Sequence, residues 1–130
     1  MVDRNVLGGP LDGCSLDPVT GWFRDGNCSA APSDIGSHTI CAVMTREFLH
    51  HQLGIGNDLV TPAPAFGFPG LQPGDRWCVT ARNWLRAHED GDAAPVVLAA
   101  TNEKALEIVS FEVLRQYAVD VPDDPATLEP

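Results

Sequence analysis

From His38 to Met44 the side chains alternate between two faces, with Ile40, Ala42 and Met44 on one and Thr39, Cys41 and Val43 on the other. A period of two without charges predicts a strand largely covered on both faces. Thr45 then stands where an N-cap belongs, Glu47 suits the positive helix end, Phe48, Leu49 and Leu53 form an apolar stripe, and Gly54 supplies a left-handed stop. The pattern predicts a first helix over 46–53. Residues 76–81 read as a short strand, after which Ala81, Trp84, Leu85 and His88 recur at helical spacing until Gly91. Val96 to Ala100 is apolar on both faces, as in a central strand, and a short third helix begins at Asn102. Ser110 caps a fourth helix, with Val109 and Leu114 placed as a hydrophobic staple.

Two stretches lack such periodicity. Residues 1–36 carry turn signals at Gly8-Gly9-Pro10, Asp12-Gly13, Asp17-Pro18, Thr20-Gly21 and Asp25-Gly26, and residues 55–75 carry them at Asn57-Asp58, Pro69-Gly70 and Pro73-Gly74-Asp75. Irregular connections of that length inside a compact domain are usually functional or pinned by something. Beyond residue 120 the chain holds Asp123, Asp124 and Glu129 without a base, and Pro122, Pro125 and Pro130, so 121–130 is expected to be an acidic, Pro-rich, frayed tail. Residues 1–120 read as one α+β domain, a small two-layer sandwich with a mixed sheet, helices on one face and long irregular loops.

Composition narrows the function classes. The 130 residues carry a formal net charge of −10, with 8 Lys and Arg against 18 Asp and Glu, so a nucleic-acid partner, which needs cations on its phosphates, is not expected. The single lysine, Lys104, among so many acids resembles proteins of a halophilic, high-salt cytoplasm. The longest uncharged stretch, Leu59 to Gly74, is broken by Pro62, Pro64, Pro69 and Pro73, so no membrane span is expected either. The N-terminus lacks the basic start and apolar run of an export signal. The expected location is therefore cytoplasmic and reducing, with Cys14, Cys28, Cys41 and Cys78 as thiols or metal ligands rather than disulfides. If they did pair, sequence could not choose among three connectivities.

Cys14, Cys28, His38 and Cys41 form the candidate metal set, for which zinc is the natural ion, although the spacing contains no paired motif. A second reading takes Cys41 or Cys78 as a nucleophile with His38 as base, aided by Asp58. Against both stands the plain alternative of buried small side chains. Arg24, Asp25, Asn57, Asp58, Arg76 and Trp77 are candidate ligand-binding residues of the loops, since such carboxylates and guanidiniums can pair as acid and base or clamp an anion. Asp in a turn, beside Gly at Asp25 and Asp75 and after Asn57 at Asp58, is also ordinary turn chemistry, which applies to all three alike. Trp22, Phe23, Phe66, Phe68 and Trp77 place rings in or beside the same loops, where they plug the core or line a pocket.

The strings Asn5-Val6-Leu7-Gly8, Thr20-Gly21-Trp22-Phe23-Arg24-Asp25-Gly26, His38-Thr39-Ile40-Cys41-Ala42, Gly56-Asn57-Asp58-Leu59, Phe68-Pro69-Gly70-Leu71 and Pro73-Gly74-Asp75-Arg76-Trp77-Cys78 resemble the bacterial DUF2237 family over most of residues 5–120. The resemblance implies one two-layer α+β domain and no particular activity, cofactor or substrate. Where the family pattern often has a second cysteine two after the position of Cys78, this chain has Thr80. The function expected from all this is small-ligand or protein binding, with the site in loops 14–41 and 56–78. The alternative is a small enzyme dependent on Cys and His or on a metal.

Overall fold

The computed structural model describes residues 3–120, in the order β1 (Ile40–Val43), α1 (Arg46–Gly54), β2 (Arg76–Val79), α2 (Ala81–Glu89) and α3 (Phe111–Gln116). Short 3₁₀ turns at Pro64–Phe66, Leu98–Ala100 and Glu103–Glu107 complete this small α+β fold. The expected tail over 121–130 lies outside the described residues. Asp120, just before it, is held by accepting hydrogen bonds from the Leu98 and Ala99 amides at 2.9 Å each.

β1 and β2 pair antiparallel, with Ile40 opposite Val79, Cys41 opposite Cys78, Ala42 opposite Trp77 and Val43 opposite Arg76. Single bridges widen this ladder, Ala42 pairing antiparallel with Val96 and Val96 parallel with Ala118. Successive strand residues point to opposite faces, and the two faces bury different material. Ile40, Ala42, Trp77 and Val79 join the main core with Phe48 and Leu49 of α1, Trp84 of α2 and Leu114 of α3. Cys41, Cys78 and Val43 face the other way and meet Cys14, Cys28, Val97 and Ala100, so the helices cover one face and a long loop the other.

Caps hold the helices where the sequence placed them. The hydroxyls of Thr45 and Ser110 accept from the amides of Phe48 and Val113, three residues on, and Thr80 does the same for Asn83. Val109 and Leu114 are both buried in the core. Three expectations need correction. Leu53 is exposed, whereas Gln52 beside it is fully buried, its amide satisfied by Asn57 and by the Asn83 carbonyl. The left-handed residue after α1 is Gly56, φ 90°, with Gly54 still inside the helix. The strand expected over 96–100 stops early, because Asp120 captures the Leu98 and Ala99 amides and Thr101 donates its hydroxyl to the Val97 carbonyl, turning the chain into a 3₁₀ helix.

The cysteines bring the largest correction. Cys14 is bonded to Cys41 and Cys28 to Cys78, with no free cysteine in the chain, instead of the thiols expected for a reducing compartment. The expectation rested on the N-terminal residues, which carry no information about which sulfurs meet. Folding stacks loop 14–28 on the cysteine face of the sheet, and that approach decides the pairing.

Candidate functional site

The long loops are set by backbone geometry before any side chain acts. Gly21 and Gly70 both have positive φ, 100° and 80°, and at each a Cβ would run into a carbonyl oxygen, Asn27 and Val60 respectively. Only glycine permits that approach. Gly21 shapes the turn that carries Trp22 and Arg24, and Gly70 folds segment 56–70 back on itself, with Leu71 donating to the Leu59 carbonyl at 2.8 Å.

Between the two loops lies a cavity of about 240 Å³ lined by Arg24, His38, Asp58, Phe66, Phe68 and Trp77, with Leu59 and Ala63 completing its wall. Trp77 is its rigid floor, buried on β2 and met edge-on by Phe68 with ring centroids 5.2 Å apart. The Arg24 guanidinium carbon sits 5.0 Å from the Trp77 ring centroid, a cation–π placement. Arg24 adopts φ 53° and donates to the Gly21 carbonyl at 2.7 Å, so the side chain is held rather than waving in solvent.

His38 is oriented by a residue the sequence reading missed. The Asp34 carboxylate is buried and accepts twice, from the His38 amide and from the His38 Nδ1, both at 2.7 Å. A carboxylate only accepts, so Nδ1 carries the proton and Nε2 is the ring's remaining functional atom. The His38 side chain is 34% exposed and its ring lies 5.7 Å from that of Trp22. An acid four residues before a histidine was the visible signal, but outside a helix that spacing carries no rule.

Asp58 holds its own turn, accepting from the Val60 and Thr61 amides at 2.9 and 3.0 Å. Hydrogen bonding by Thr61, through side chain and backbone, and by the Val60 amide keeps its carboxyl below the ordinary carboxylate range. It therefore stands as an anion on the rim. Asp25 and Asp75 also do turn work, accepting from the amides of Asn27 and Gln72. Asn57 donates to Gln52 and buttresses α1, and Arg76 is exposed at the start of β2 outside the cavity wall.

Two larger depressions of about 360 Å³ each lie along loop 14–30, lined by Asp3, Phe23 and Asp25 in one case and by Cys14, Leu16 and Asp25 in the other. Neither collects a cation or a ring nitrogen; a third depression, of about 310 Å³ and lined by Arg46, Glu47 and His50, does, but α1 alone supplies it. The smaller cavity is the stronger candidate because both loops contribute to it and its polar groups converge.

The metal set does not assemble as expected. His38 is engaged by Asp34, whereas the sulfurs of Cys14, Cys28 and Cys78 lie within 4.8 Å of one another, with Cys41 bonded to the first. In the disulfide state neither Cys41 nor Cys78 offers a thiolate to His38.

Residues 4–118 match the family described as an uncharacterized protein conserved in bacteria, DUF2237, and the chain belongs to it. No curated protein matches the chain significantly.

Proposed function

Starting from membership of a family whose description assigns no chemistry, we propose that this chain is a small-ligand-binding domain whose site is the cavity between loops 14–41 and 56–78. One observation carries the reading: Arg24, His38, Asp58 and Trp77, drawn from both loops, line one opening. Cavities that enclose drug-sized molecules run to about 300–1,000 Å³. At about 240 Å³ this one suits a smaller ligand. Phe66, Phe68 and Trp77 favour a flat apolar part, and the positive charge of Arg24 favours an anionic group such as a carboxylate or phosphate.

The test is a thermal-shift screen of small aromatic and aliphatic carboxylates and phosphates against the purified chain. A compound that raises the melting temperature and loses its effect in Arg24→Ala and Phe68→Ala supports the reading. Stabilisation that persists in both variants, or no stabilisation by any member of the set, overturns it.

A second reading follows from the Asp34 and His38 pair. A histidine whose Nδ1 is held by a buried carboxylate presents Nε2 as a general base, so the same pocket could deprotonate its ligand. This is the surviving form of the enzyme alternative, with His38 and Asp58 retained and the cysteine nucleophile set aside in the disulfide state.

Residues 1–120 act as one domain on this reading, supported by a core that runs from Val6 to Leu114. The net charge of −10 argues against a nucleic-acid partner, and no helix among the described residues is long and apolar enough to cross a membrane. The cytoplasmic reading is supported by the acidic, lysine-poor composition, and the two disulfides weigh against it. Cell fractionation with a specific antibody decides between the two.

A further inference from the structure

Four cysteines from three segments meet on the face of the sheet opposite the helices. Cys41 and Cys78 are register partners on β1 and β2, while Cys14 and Cys28 come from the first loop. All four are buried, at 5%, 0%, 0% and 1% exposure for Cys14, Cys28, Cys41 and Cys78, and Val43, Val97 and Ala100 pack around them.

Their positions do not depend on the sulfur–sulfur bonds alone. The Cys41 amide donates to the buried Thr101 hydroxyl at 3.1 Å and the Cys78 amide to the buried Thr20 hydroxyl at 2.8 Å. The Cys14 amide donates to the Gly26 carbonyl at 2.8 Å, and the Cys28 carbonyl accepts from Asn102 at 3.1 Å. Opening both disulfides would leave four sulfurs in one dry pocket, each on a tethered backbone.

We propose that this cluster is a redox-gated metal centre, holding two disulfides when oxidised and one tetrahedral zinc ion on Cys14, Cys28, Cys41 and Cys78 when reduced. Tetrahedral coordination with bonds of about 2.3 Å sets sulfurs about 3.8 Å apart. The sulfurs of Cys14, Cys28 and Cys78 already lie within 4.8 Å of one another and Cys41 is bonded to Cys14, so the bonded pairs open and the four sulfurs regroup by side-chain rotation. The ligand set differs from the candidate set Cys14, Cys28, His38 and Cys41 of the sequence, with Cys78 in the place of His38.

The chemistry balances with a dithiol or phosphine reductant from outside. Two disulfides take up four electrons and four protons and become four thiols, while two equivalents of the reductant are oxidised. Zinc then displaces the four protons as the thiolates bind. Cys14, the most exposed of the four, borders the depression at Gly13 to Leu16 and is the sulfur an incoming nucleophile reaches first. Attack there releases Cys41 as thiolate.

The test uses the full chain, reduced anaerobically with a phosphine and titrated with zinc, and with cobalt as its spectroscopic substitute. The expected result is one metal per chain, with thiolate-to-cobalt charge transfer and the strong visible bands of tetrahedral cobalt. Peroxide should then release the metal as the disulfides return. Cys78→Ser should weaken zinc binding by roughly a hundredfold, its share of the binding energy of a four-ligand site. If reduction unfolds the chain, zinc should restore its circular dichroism. A reduced chain that folds without taking up metal, an octahedral cobalt spectrum, unchanged affinity in Cys78→Ser, or failure of zinc to restore an unfolded chain each overturns the proposal.

Discussion

Cys41 and Cys78 face each other across the β1–β2 ladder, yet they are not bonded to one another. Each reaches outward, Cys41 to Cys14 and Cys78 to Cys28. The two strands are already joined by backbone hydrogen bonds, so these crosslinks act on the first loop, stapling it to the sheet.

Removing a staple should therefore loosen that loop. Cys28 and Cys78 are separated by 50 positions, and the chain-entropy model assigns about 4 kcal/mol to closing a loop of that size. Cys28→Ala/Cys78→Ala should lose stability of that order, from a total that for small domains is about 5–15 kcal/mol. Urea unfolding of the oxidised proteins measures it, and a loss below about 1 kcal/mol would mean that the loop holds to the sheet without its crosslink.

Asp34 is expected to matter more for order at the cavity than for the core. Asp34→Ala strips an acceptor from both the His38 amide and the His38 ring, and leaving such groups unpaired costs roughly 1–3 kcal/mol. Nitrogen-15 shifts of the His38 ring should report the Nδ1–H tautomer in the parent chain and a mixture of tautomers in the variant. An unchanged spectrum would detach Asp34 from the site.

Asp58 makes a prediction about acid. Its folded-state pKa lies below the ordinary 3.8 because the Thr61 and Val60 bonds favour the carboxylate. A depressed folded value gives stability that is fully present above the unfolded value and lost as pH falls through the folded one. The parent should thus be the more stable of the pair with Asp58→Ala at neutral pH, and the difference in melting temperature should shrink on acidification below the ordinary value. A gap that stays constant into strong acid would refute the role assigned to its turn.

Net charge predicts the response to salt. With 18 acids against 8 bases the folded surface repels itself, and added ions screen that repulsion over a Debye length that falls from about 10 Å at 0.1 M to about 3 Å at 1 M. The melting temperature should rise between those salt concentrations. A flat or falling curve would remove the composition-based argument for a high-salt cell.

Local chemistry made much of the fold legible. Thr45 and Ser110 announce their helices because a hydroxyl three residues before an unpaired amide can satisfy it wherever the helix sits. Strand alternation at 40–43 likewise divides Ile40 and Ala42 from Cys41 before any partner is known. Leu53 and Gln52 show where such reasoning stops. Hydropathy ranks leucine as the buried one, and only the positions of Asn57 and Asn83 give the Gln52 amide its partners.

The candidate site divides in the same way. Loops 14–41 and 56–78 could be singled out because turn residues, rings and charges crowd them, and Arg24, His38, Asp58 and Trp77 were among the residues named. Asn57 and Arg76, equally legible in the sequence, lie outside the wall of this cavity, and the partnership of Asp34 with His38 needs a turn at Ser37, φ 62°, that no periodicity announces.

What the sequence alone determined is everything governed by neighbours a few positions apart: caps, strand faces, turns, net charge and the α+β class. What only the tertiary structure decided is which distant groups share a space. The sulfurs paired 27 and 50 positions apart and the cavity wall built from two loops depend on how the chain is laid over a sheet. Their energies come from proximity in space, which composition and spacing along a chain do not encode.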